Sequence, residues 1–376
     1  MVKRLGSKVM LFVFTILILI ITIEMLSFIA TKLNLLMVNE EPGYFYPSGD
    51  KWRTETMPWG SWHKPNFSDR HRKTCFDVKY ESNNLGARDN EPYDENLPKN
   101  SIILIGDSVV EGMGVQLEDT FAEVLEKEIG RKVLNFGSAA HFGPVQEEIL
   151  YRTLASELPH NEMIYFFLPA NDFTENDRRW WNSRFNKFRH RPYFRKIKNN
   201  EYEVFYPEKI TNKFLISLKS FIFHRVQMLS IQYTYTANTL KTINRLYAKF
   251  TKKKDVVNTG ISSGYGYFFD DHEAIDGSLY FSKKLLSGAS NLERRLIVII
   301  PTQESLDNIY DGKDYKNLKW YLDLKRIASE TNSILFDLAE YIKKEDYNRM
   351  VLECDGHWNA YGHRIVAELV RENFFK

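Results

Sequence analysis

Ser108 ends an apolar run, Ser101-Ile102-Ile103-Leu104-Ile105-Gly106-Asp107-Ser108. Isoleucine and leucine in unbroken succession read as a buried strand. Gly106 and Asp107 end it abruptly, and Gly112 keeps the exit compact. A serine just past the C-terminal end of such a strand occupies the place where open α/β sheets bind ligands. The plain alternative is a strand followed by an ordinary turn, so the case rests on what can join the serine. Covalent acyl transfer needs a nucleophile, a base for its proton, and a group that orients the base. Ser108, His357 and Asp355 are of those types. The reaction also needs donors aimed at the developing oxyanion. The backbone N–H groups of Ser108 and Ala140 and the side chain of Asn171 are the candidates. The bland readings are a capping histidine beside a C-terminal helix and a simple turn at Asn171-Asp172.

These residues are far apart in the chain, so the elements between them must bring them together. Apolar runs at 132–136, 163–168, 295–300 and 333–337 read as further strands. Helical patterns lie at 120–129, closed by Gly130, at 144–158, opened by Gly143-Pro144, at 315–331 and at 359–372. In the last of these, Ile365, Val366, Leu369 and Val370 share the inward face. Strand and helix alternate, which predicts an α/β fold with a mostly parallel sheet. All strand C-termini then lie along one edge, where Ser108, the Ala139-Ala140 turn, Asn171 and the Asp355–His357 segment can converge. Residues 173–292 interrupt the rhythm with an aromatic, helical insertion. One or two amphipathic helices are expected at 212–254, ending in Lys252-Lys253-Lys254. Packing on the main domain and a face resting on an anionic membrane are both open to them. Residues 268–272 and the Gly-Ser-rich pieces nearby read as loops.

The 376 residues carry 51 Lys and Arg against 49 Asp and Glu, a net +2. That balance argues against a nucleic-acid partner. Residues 9–30 are the one strongly apolar stretch, broken by Glu24. As a helix it covers about 33 Å, enough for a hydrocarbon core of roughly 30 Å. Lys3, Arg4 and Lys8 precede it and Glu40 and Glu41 follow, so the positive-inside rule puts the N-terminus in the cytoplasm and the rest outside. A cleaved signal peptide is the competing reading. Glu24 is costly in lipid; it lies near the outer interface, is protonated, or meets a partner helix. The expected organisation is a cytoplasmic stub and transmembrane anchor at 1–34, a linker and lead-in at 35–99, and a catalytic domain at 100–376. Trp52, Trp59 and Trp62 of the lead-in pack near lipid headgroups or against the domain, and 84–88 forms a turn into the sheet. The two cysteines, Cys75 and Cys354, make no metal-type cluster, and no metal or other cofactor is expected. Outside the cytoplasm they can form a disulfide that ties the lead-in to the segment carrying Asp355. Two independent thiols are the alternative.

Over about residues 80–172 and 293–373 the chain resembles the SGNH (GDSL-type) hydrolases, particularly their membrane-anchored bacterial members. Gly106-Asp107-Ser108 matches the family's first motif, whose serine is the nucleophile. Ala140 falls where the second motif has glycine, and Pro169-Ala170-Asn171-Asp172 stands for Gly-x-Asn-Asp. The last motif usually places Asp three residues before His. Here Asp355-Gly356-His357 has a spacing of two, so Asp355 reaches His357 only from an extended or turned segment, and Glu353 is the weaker alternative. The resemblance implies a flavodoxin-like three-layer sandwich. It also implies a serine esterase or O-acyl transferase that works through an acyl-enzyme on ester or acetyl groups, of cell-envelope polysaccharides. The replaced glycines support a second possibility, a catalytically weak or inactive binding or assembly protein of the envelope.

Overall fold

The computed structural model describes residues 2–33, 35–36, 53–73, 75–139, 141–180, 191–198, 201–207, 234–250 and 265–375. The chain divides into two units. Met1–Gly49, Arg72–Asp77 and Thr211–Val256 make one; Asp50–His71, Val78–Ile210 and Val257–Lys376 make the other.

In the larger unit the apolar runs form strands β1 (Ile102–Gly106), β2 (Val133–Gly137), β3 (Glu162–Phe167), β4 (Arg294–Ile299) and β5 (Ile334–Asp337). They pair in parallel throughout, in the order β2-β1-β3-β4-β5. This is the flavodoxin-like doubly wound order, with its switch point between β1 and β3. Alternate side chains of each strand feed opposite faces. Ile103 and Ile105 of β1 join one core with Leu134, Phe136, Tyr165, Phe167 and Ile297. Ile102 and Leu104 join the other with Val133, Ile164, Phe166 and Val298. Helices Phe121–Ile129 and Ala360–Phe374 cover the second face, through Phe121, Leu125, Val366 and Val370. Helices Pro144–Thr153, His272–Gly288 and Lys319–Glu330 cover the first. The result is a three-layer α/β sandwich.

The expected helix at 144–158 is cut short. Leu154 leaves helical geometry, and Ala155–Glu157 turns as a separate 3₁₀ segment. Helix His272–Gly288, which follows the loop expected at 268–272, was not legible in the sequence. The lead-in contributes an antiparallel ribbon, Arg53–Met57 with Gly60–His63. Trp59 and Trp62 of that ribbon are buried in the core, with Trp62 stacked on Phe136 at 6.2 Å. Of the two places open to them, they take the packed one; Trp52 lies outside the described residues. So do Lys252-Lys253-Lys254 and most of the helices expected at 212–254. Thr236–Phe250 is the described helix there.

In the smaller unit, Val2–Lys32 is helical. Its stretch Lys8–Lys32 is long and apolar enough to cross a membrane, with a mean hydropathy of 2.8 over its most apolar 18 residues.

Candidate active site

β1 delivers Ser108 to the switch point. Asp107 caps the short helix Ser108–Glu111, accepting from the Val109 N–H at 2.9 Å, and Gly112 closes it at φ +76°. β2 runs against the back of this turn. A Cβ on Gly137 would stand 2.1 Å from the Glu111 nitrogen, so only glycine allows the approach.

The base arrives on a separate loop. His357 Nε2 lies 2.7 Å from Ser108 Oγ. On the other side of the ring, Nδ1 bonds to Asp355 Oδ1. The spacing of two is reached through a turn. The N–H groups of Asp355 and Gly356 both donate to Leu352 O, Gly356 sits at φ +84°, and Leu352 N–H donates to His357 O at 2.7 Å. The aspartate thereby folds back beneath the imidazole. Glu353 lies exposed on the same loop.

Asn171 comes from the helical turn Pro169–Asp172 that follows β3. Pro169 takes the first helical position, where its fixed φ suits the helix and no N–H is missed. One N–H of the Asn171 amide donates to Asp107 Oδ2 at 2.9 Å. The amide has a second N–H, and Asn171 lines a cavity of about 200 Å³ with Val109, Leu168, Tyr347, His357 and Trp358. Ala140 lies outside the described residues. Its neighbour Ala139 donates its N–H to Glu111 Oε2. The structure thus brings Ser108, His357, Asp355 and Asn171 together at one sheet edge.

Buried charge surrounds this edge. Burial pushes the Asp107 carboxyl up to about 6, against the opposing pull of its bonds from Val109 and Asn171. Burial raises Glu147, with repulsion from Asp107, and Asp172, with repulsion from Glu147 and then Asp107, well above the carboxylate range.

Sequence reasoning missed the supports of the serine turn. Arg88, wholly buried, donates to the carbonyls of Glu111, Gly112 and Val115 and stacks 4.0 Å from the Tyr80 ring. Burial lowers its guanidinium to about 9. His63 contacts Gly86 O at 2.9 Å through Nδ1 and Glu111 Oε2 at 3.3 Å through Nε2. The one signal for these was the turn at 84–88, where an arginine closes an otherwise small and apolar segment. His363 accepts from the Phe121 N–H at 3.2 Å, and burial lowers its imidazole to about 3, so it is neutral. Neither cysteine is a free thiol.

A serine, an imidazole and a carboxylate in sequence, set at the switch point of a doubly wound sheet, define a serine-hydrolase-like class of site. No family model and no curated protein matches the chain. Among solved structures it is similar to a member of the lipolytic G-D-S-L family from Veillonella parvula. There the identity is 13% and the TM-score 0.37, over 73% of this chain and 98% of that one. It is also similar to a carbohydrate esterase family 2 enzyme with a carbohydrate-binding domain from Myceliophthora fergusii. That likeness has 11% identity and a TM-score of 0.38, over 74% and 67% of the two chains. An α/β hydrolase from the metagenome of Lake Arreo gives 9% and 0.37, over 73% and 94%. The functional reading therefore rests on the geometry of Ser108, His357 and Asp355.

Proposed function

We propose that the protein is a serine esterase or O-acyl transferase of the SGNH type that works through an acyl-enzyme. The observation that carries this reading is the 2.7 Å contact between Ser108 Oγ and His357 Nε2, with Asp355 on the far ring nitrogen. His357 takes the Ser108 proton as Ser108 attacks an ester carbonyl. The tetrahedral anion is held by the Ser108 N–H, the Ala140 N–H and the second N–H of Asn171. His357 then returns the proton to the leaving oxygen, and water or a sugar hydroxyl releases the acyl group. A cavity of about 200 Å³ suits a short acyl chain, such as an acetyl group. Acetylated cell-envelope polysaccharide is the proposed substrate. The helix Val2–Lys32 is the proposed anchor, with the N-terminus cytoplasmic and the larger unit outside, a compartment that favours the proposed Cys75–Cys354 disulfide.

Turnover of a short-chain aryl ester tests the chemistry. Ser108→Ala and His357→Ala are each expected to lower kcat by about 10⁴-fold or more. Rates equal to the parent in both variants would overturn the assignment. They would leave the second reading, a binding protein of the envelope.

A further inference from the structure

Three polar residues in the last turns of the apolar helix Val2–Lys32 lie on one face, opposite Thr15 and Thr22. Glu24, Ser27 and Thr31 are spaced three and four apart, so they line up along the helix. Ser27 and Thr31 are 4% and 1% exposed, whereas Met25, Leu26 and Phe28 beside them are 42–60% exposed. Helix Thr236–Phe250, of the same unit, covers this seam.

The contacts are specific. The Glu24 carboxylate accepts from Tyr235 N–H at 2.6 Å, from Thr236 N–H at 3.0 Å and from Thr236 Oγ1 at 2.7 Å. Thr239 Oγ1 meets Ser27 Oγ at 2.8 Å. The Phe28 and Tyr235 rings meet edge to face at 5.0 Å. Glu24 pairs with 236 and Ser27 with 239, so the two helices run parallel. A carboxylate in hydrocarbon is costly, and so are the unpaired N–H groups that begin a helix. Each satisfies the other here, and the positive end of the helix dipole faces the negative charge.

Glu24 lies eight residues before Lys32, about 12 Å along the helix. If Val2–Lys32 spans the bilayer, the first turns of Thr236–Phe250 lie inside it. The rest of that helix is consistent with such a setting. Leu240, Ile243, Leu246 and Tyr247 form a stripe at helical spacing and are 42–66% exposed. That stripe extends the apolar surface of the anchor helix. Ile243, seven residues past Thr236, is level with Thr31; Tyr247 comes at the interface, where aromatic residues concentrate. The sequence then runs on to Lys252-Lys253-Lys254, suited to anionic headgroups.

We propose that Thr236–Phe250 is a second membrane-embedded helix, bound along the Glu24–Ser27–Thr31 seam of the anchor, with its Leu240–Ile243–Tyr247 stripe in contact with lipid. The chain then enters the bilayer twice. This rests on the reading of Val2–Lys32 as an anchor, and the test separates the two. The full-length protein is reconstituted in phosphatidylcholine–phosphatidylglycerol vesicles, without reductant. A spin label is placed through Leu17→Cys, Ile243→Cys or Tyr247→Cys, one at a time. Collision with oxygen and with a water-soluble nickel complex is then read. Ile243 is expected to favour oxygen as Leu17 does, with Tyr247 intermediate. Nickel access at Ile243 with oxygen preference at Leu17 would overturn the proposal and leave the anchor. Ile243 shielded from both reagents would mean a protein surface, a second copy included, covers the stripe, and would also overturn it. Nickel access at Leu17 would overturn the anchor itself. As a check on the pairing, Ser27→Cys with Thr239→Cys is expected to cross-link on mild oxidation, and no cross-link would count against the seam.

Discussion

Ser108 and His357 meet at 2.7 Å, yet the segments that carry them are held in opposite ways. The serine turn is fixed from a distance in sequence. Arg88 reaches it from the lead-in, His63 touches Glu111 from the ribbon, Glu111 holds Ala139, and β2 presses in at Gly137. The histidine loop bonds extensively to itself, and Cys354, which is not a free thiol, adds a covalent tie. Leu352 bonds both into and out of the turn, Val351 bridges to Trp358, and Asn359 returns to Met350 O and Val351 O. Buried Trp358 links it to the sheet, edge to face with Phe166. The nucleophile is thus positioned by side chains from distant parts of the domain, and the base chiefly by hydrogen bonds within its own loop, with the tie at Cys354. Damage to the first should appear as lost stability, and damage to the second as lost geometry with the fold intact.

Arg88→Met gives the largest expected effect on stability. It keeps the volume but leaves three buried carbonyls without their donor. The expected loss is roughly 2–5 kcal/mol in urea unfolding, with activity falling as folded protein is lost. A variant as stable as the parent would show that the serine turn holds itself.

The next effect is read in pH. Asp107 titrates at about 6 in the folded protein, against an ordinary value of 3.8. The folded state therefore binds this proton more tightly than the unfolded chain. Its contribution to stability is fully present below about pH 4 and is lost as pH rises through 6. Asp107→Asn removes the charge and keeps an oxygen for the Val109 N–H, while its NH2 takes the place of Oδ2, so the Asn171 amide turns its oxygen toward it. Relative to the parent, the variant is expected to gain stability between pH 4 and 7, by up to about 3 kcal/mol. Denaturant midpoints measured across that range check it. A constant difference would mean that Asp107 ionises as it would in water.

The same contrast explains what the sequence disclosed. β1 to β5 are short, mostly apolar runs, so their existence was legible, as was the placement of Ser108 and Asn171 at strand exits. The Asp355–His357 unit was legible because it is local: a two-residue spacing needs a turn, and Gly356 can supply one. The support of the serine turn was not. Arg88 and His63 act through contacts more than 20 residues away in sequence, from a turn segment and a short ribbon that carry little periodic signal. Helix His272–Gly288 was hidden for a different reason. It faces the core partly through Gly277, Ser278 and Ser282, small or polar residues that break the apolar pattern. Gly277 lies against the Phe194 ring and Ser282 bonds Tyr165 Oη at 2.9 Å, partners that exist only in the folded chain. The strand order did not follow from the residues, since pairing depends on how helices cross the sheet; the resemblance to a flavodoxin-like sandwich implied it, and the order observed matches.

The smallest effect tests the histidine loop directly. Gly356 has φ +84°, and a Cβ there would meet nothing within 4 Å. Gly356→Ala therefore adds backbone strain without a clash, about 1 kcal/mol. If the loop is held chiefly by its own hydrogen bonds, that strain is relieved locally by shifting Asp355 against His357. Stability is then expected to fall by about 1 kcal/mol or less, while kcat falls by a larger factor than that energy would give if it acted on folding alone. Unfolding curves and kcat for the same preparation separate the two. A variant that loses stability and keeps kcat per folded molecule would show that the Asp355–His357 pair is held from elsewhere. The base would then be positioned as the nucleophile is.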